Sequence, residues 1–209
     1  MSIESRNTSS SAVPVGVSEN RVVGVPGWGG SSDYALSVFD NRLDPRLLIR
    51  NLSSGSQRDA FGIAGRLVVD WTFPTNGISD VNESAFLPSY TRLVVTEGVT
   101  LTVPAGAVVK FGRGGGWDVR GSFLVAGTGD RPATFISSAD DSVGGDTNGD
   151  GALTSPRPGA RSGVMAPGGT IIVREGRVNF ASLAFALTSG GRGNLLARFH
   201  RVGGGHSRR

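Results

Sequence analysis

The chain has 209 residues, 38% hydrophobic and 18% charged. Gly 33 and Pro 10 make up about a fifth of it, which favours short elements joined by turns over long helices. Cysteine is absent, excluding thiolate metal sites, iron–sulfur clusters, a cysteine nucleophile and a disulfide scaffold. The net charge of +4 hides an asymmetry: residues 157–209 hold nine Arg against one Glu, so the high pI belongs to the tail and a basic field over the whole surface is not indicated.

Residues 1–20 are rich in Ser, Thr and Asn without an apolar period and read as a disordered arm. They lack the basic and apolar regions of a secretory signal, and no stretch of the chain approaches the ~18 apolar residues of a spanning helix. Across 21–90, the apolar runs 22–25, 34–39, 47–49 and 66–71 alternate with Pro26-Gly27, Gly29-Gly30, Asp44-Pro45 and the serines of 53–56. These predict short strands and an irregular link of undefined fold, with one helical turn within 33–40 capped by Asp33.

Residues 91–139 are the most regular part. Runs at 93–95, 98–103, 106–111, 117–119, 122–125 and 133–136 are separated by turns too short for crossover helices and without the Asn-Gly pairs of tight hairpins. Val99, Leu101 and Val103 share one face, with Thr100 and Thr102 on the other; Val109 and Phe111 flank an outward Lys110, the chain's sole lysine. Gly98, Gly106, Gly121 and Gly127 fall at corners. A chain that turns this often with internal alternation predicts a parallel β-solenoid, with Leu101, Val103, Val109, Phe111, Val125 and Phe135 inward.

VTLTVPAGAVVKF (99–111), FLVAGT (123–128), PATFISS (132–138) and DDSVGGDTNGDG (140–151) occur in the order typical of right-handed parallel β-helix repeat proteins of bacterial surfaces and secretomes, which this window, about residues 91–170, resembles. The resemblance implies an all-β fold with coils at 91–139, an acidic Gly-rich excursion at 140–160 and a further partial coil at 161–188 with Leu183 and Phe185 inward. Residues 159–164, GARSGV, lack the acid and Trp that usually open the next coil in that family. A disordered Arg/Gly-rich tail is expected at 189–209. The resemblance further implies an extracellular or cell-surface location and a structural or adhesive role toward polysaccharide or protein partners.

Within the excursion, Asp146, Asn148 and Asp150 alternate as in the first half of a calcium loop, with Gly149 and Gly151 easing the turn and Asp140 and Asp141 just upstream. Arg157 stands where an EF-hand places its closing Glu, and Pro156 and Pro158 forbid its following helix. The expected calcium ligands are Asp140, Asp141, Asp146, Asn148 and Asp150, with a backbone carbonyl near Ala152; the competing reading is a polar loop of side-chain-to-backbone turns. Asp140-Asp141 also admits a lyase or glycosidase reading, weakened because both acids lie in one loop without a neighbouring Lys, Arg or His constellation. His200 and His206 lie in the tail without a carboxylate partner between them. The Arg/Gly tail matches RNA-contacting segments in composition but offers one aromatic, Phe199, for stacking. Trp28, Trp71 and Trp117 are candidate sugar platforms, with core packing the expected role for the last two.

Overall fold

A computed structural model describes residues 3–7, 16, 18–23, 34–48, 50–54, 58–73, 75, 79–81, 93–111, 116–146, 148, 150–151, 153–157, 163–179, 185–188 and 190–196. In chain order the strands are β1 (Ile3–Asn7), β2 (Arg21–Val23), β3 (Tyr34–Leu43), β4 (Leu52–Ser54), β5 (Arg58–Leu67) and β6 (Trp71–Thr72). Then come β7 (Ser79–Val81), β8 (Leu93–Val95), β9 (Thr100–Pro104), β10 (Val108–Phe111), β11 (Trp117–Val119) and β12 (Ser122–Ala126). The last six are β13 (Ala133–Ser137), β14 (Val164–Pro167), β15 (Thr170–Arg174), β16 (Gly176–Val178), β17 (Phe185–Thr188) and β18 (Arg192–Leu196). One 3-10 turn, Pro45–Leu47, is capped by the Asp44 carboxylate, which accepts from Arg46 N. Among the described residues there is no α-helix, and none long and apolar enough to cross a membrane.

The fold is all-β with parallel strands. One sheet runs β1-β3-β5-β8-β11-β14-β17, a second β16-β13-β10-β7, a third β18-β15-β12-β9-β6, with β2 and β4 paired apart. From β5 onward each strand bonds the third strand after it: β9 to β12, β12 to β15, β10 to β13. The registers put like beside like. Leu101 lies against Phe123, which faces Ile171 in turn; Val103 lies against Val125, which faces Val173; and Leu93 lies against Trp117, which faces Val164. Burial of each such side chain is worth about 1.5–3 kcal/mol, and a one-residue slip would exchange them for Thr100 and Thr102, so the alternation holds the register.

All six residues expected inward are buried, at 1% exposure or less. Rings extend the core along the molecule: Trp71 to Phe73 at 5.3 Å, Phe73 to Trp117 at 6.3 Å, Trp117 to Phe123 at 5.4 Å and Phe123 to Phe135 at 6.2 Å. Trp117 is fully buried and Trp71 packs against the core, so neither is a free sugar platform; Trp28 lies outside the described residues. The corners use glycine in two ways. Gly106 adopts φ +77°, whereas a Cβ on Gly121 would stand 2.2 Å from the carbonyl oxygens of Thr96 and Val99.

Several expectations are corrected. The arm of 1–20 contains β1, paired with β3 through Ile3↔Leu36 to Asn7↔Asp40. The helical turn within 33–40 is replaced by β3, held in parallel ladders by β1 on one side and β5 on the other. Region 21–90, whose fold the sequence left undefined, holds strands as expected, and its β5, β6 and β7 pair directly with β8, β9 and β10. The tail of 189–209 contains β18, in register with β15. In each case main-chain bonding to an existing sheet edge supplies order that side-chain composition does not announce. Phe185 is half-buried, 5.7 Å from the Phe135 ring; Leu183, His200 and His206 lie outside the described residues.

Stacking at one corner of the N-terminal part had a signal in the sequence. The Asn20 side chain donates to Asn51 Oδ1 at 3.0 Å, 31 positions away, and each asparagine follows a residue of left-handed conformation, Glu19 and Arg50, which are themselves ion-paired.

Candidate metal centre

The excursion leaves β13 through a turn in which Asp140 N donates to Ser137 O at 3.0 Å. Its acids then divide by role. Asp140 is buried, and its carboxylate accepts from Ser142 N at 3.1 Å and Ser142 Oγ at 2.5 Å, closing a local turn. Asp141, Asp146 and Asp150 instead converge, each offering a carboxylate oxygen within 4.8 Å of the others.

Two of the three converging acids are also fixed by the backbone. Asp146 accepts from Asp150 N at 3.2 Å and Gly151 N at 2.8 Å. Asp150 accepts from Leu153 N and Thr154 N, both at 3.0 Å, from Asn148 Nδ2 at 2.9 Å, and from the Thr154 hydroxyl. These are the side-chain-to-backbone turns of the polar-loop reading, and they orient the carboxylates as well. Asp141 differs, because its Oδ1 is buried without a hydrogen-bond partner among the described residues. Its pKa is raised above the ordinary 3.8, first by burial and then by the Asp146 charge; Lys110 opposes the rise, while Asp150 and Asp140 add to it.

Of the five residues expected to bind calcium, the structure thus gathers three acids at one point. Asn148 braces Asp150 through its amide, Asp140 is engaged with Ser142, and Ala152 lies outside the described residues. The donor set suits a hard cation: oxygen ligands about 2.3–2.6 Å from a calcium ion stand up to roughly 5 Å apart, and these three lie within 4.8 Å of one another.

Lys110 is the residue whose role the alternation leaves hidden. Its side chain leaves the core as expected, yet it is fully buried: Nζ donates to Asp140 O at 2.8 Å and Gly145 O at 2.6 Å. The available signal is its solitude as the one lysine among 21 basic residues.

No protein-family model, curated protein or solved structure matches the chain.

Proposed function

We propose that this chain is a right-handed parallel β-helix segment with a non-enzymatic structural or adhesive role at a bacterial cell surface or in a secretome, its excursion stabilised by calcium. The observation that carries the reading is the recurrence of pairing from each strand to the third strand onward across three sheets around one apolar core. Such a scaffold presents long outer faces to polysaccharide or protein partners, and the order of motifs in 91–170 supports the same class. The roles of Asp140 and Asp141 support placing it outside the lyases and glycosidases: one carboxylate is engaged with Ser142, the other faces further acids of its own loop. Calcium is supported by the three converging carboxylates and the buried Asp141 oxygen, whose charge a divalent cation would compensate.

The test is incubation of the protein with pectin, alginate and xylan. The expected outcome is no unsaturated product and no new reducing end. Turnover that disappears in Asp140→Ala or Asp141→Ala would replace this reading with that of a carbohydrate-active enzyme.

A further inference from the structure

We infer that Lys110 is the positioning residue of the excursion: it clamps the segment onto the outer face of the β10–β13 sheet and sets Asp141 and Asp146 facing one another. The two carbonyls it binds belong to Asp140 and Gly145, the peptide units immediately before Asp141 and Asp146. One ammonium thereby fixes the chain at the root of two of the three converging acids. The sheet beneath agrees. In β12 burial alternates, but in β13 every residue is buried, including Thr134 and Ile136 on the face opposite Phe135. Ile136 is in register with Lys110, so this outer face is covered where the clamp sits.

The choice of residue follows from donor geometry. The chain uses arginine at every other basic position. A planar guanidinium presents a rigid fork suited to a carboxylate, whereas an ammonium directs three donors from one atom and reaches two converging carbonyls from below. Removing a charge from water is costly, and the two short bonds together with the nearby carboxylates offset that cost.

The clamp makes a prediction whose sign differs from simple electrostatics. Removing a positive charge beside a cation site should tighten calcium binding if charge alone mattered; if Lys110 positions the acids, its loss loosens binding. This metal arm rests on the calcium reading above, and the first measurement does not. In calcium-free buffer, amide hydrogen exchange over 138–146 should be at least about tenfold faster in Lys110→Met than in the wild type, with 100–104 unchanged. Calcium titration should then show affinity lowered about tenfold in Lys110→Met, and not restored in Lys110→Arg, which keeps the charge without the converging geometry. Unchanged exchange over 138–146, or tighter calcium binding in Lys110→Met, overturns the inference. A wild type that binds no calcium removes the metal reading alone, because the exchange result still decides the clamp. Should Lys110→Met fail to fold, acylation of the wild-type Lys110 amine decides it: a rate at least about tenfold below that of the denatured chain is expected, and equal rates overturn it.

Discussion

Over 93–137, the inward residues of β8 to β13 are at or near zero exposure and form one core with rings about 5–6 Å apart. Over 139–157, by contrast, Asp140 is the one described residue that is buried, and Leu153 is 88% exposed. The sheets are held by apolar area, which neither pH nor a cation alters directly. The excursion is held by carboxylates bonded to backbone amides and by one ammonium on two carbonyls, groups whose balance depends on proton and cation concentration. Burial makes the apolar core insensitive to protons and cations, and the excursion gathers the largest cluster of acids that respond to them among the described residues.

The sharpest way to break that contrast is to damage the frame. Phe123→Ala removes a ring at the junction of Trp117, Phe135 and Phe185 and should cost about 3–5 kcal/mol in urea unfolding, at any calcium concentration. Gly169→Ala, whose Cβ would stand 2.3 Å from Val119 O, should cost more than about 1 kcal/mol through a forced backbone shift.

Calcium tests the other region. With a dissociation constant of about 1 mM, in the range of extracellular modules, 10 mM calcium should add roughly 1.4 kcal/mol to native stability and raise the melting temperature. Magnesium should do less. Asp146→Ala combined with Asp150→Ala should abolish the shift while leaving the calcium-free sheets intact, and identical melting of both proteins with calcium or chelator would leave only the polar-loop reading.

Smaller effects separate by pH. Because the Asp141 pKa is raised, the native protein retains a proton at pH values just above 3.8, where the unfolded chain has released it; stability therefore falls as pH rises through that window. Calcium, or Asp141→Asn, should flatten this limb in melts between pH 3.5 and 6, values bracketing the window at about the ordinary carboxylate range. Asp44 has the opposite sign: its bidentate pairing with Arg46 lowers its pKa, so its contribution is present above 3.8 and is lost as pH falls through the lowered value. Asp44→Asn should remove that acid limb alone. Least of all, Glu19→Gln at the exposed ion pair with Arg50 should change stability by no more than about 0.5 kcal/mol.

Sequence reading reached furthest where one side chain's neighbours in the chain are also its guides in space. The alternation at Val99, Leu101 and Val103 states which face is inward, and a corner Gly states where the chain turns, so the places of β8 to β13, to within two residues at their ends, and the six inward residues were legible. The acids of the excursion were legible as a group for the same reason, since Asp146, Asn148 and Asp150 alternate within one turn. Tertiary structure decided the rest. Ile3–Asn7 and Arg192–Leu196 become strands because a parallel sheet edge supplies amide partners to almost any extended backbone, a bond blind to side-chain pattern. Asp141 joins Asp146 and Asp150 while Asp140 turns aside to Ser142 because loop closure, not spacing, sets where a carboxylate points. Lys110 reads locally as an outward, solvated residue, and it is buried because a segment some 30 positions later folds over it: the chain states its periodic order in its own neighbourhoods, but contacts made at long range exist only once the sheets have brought them together.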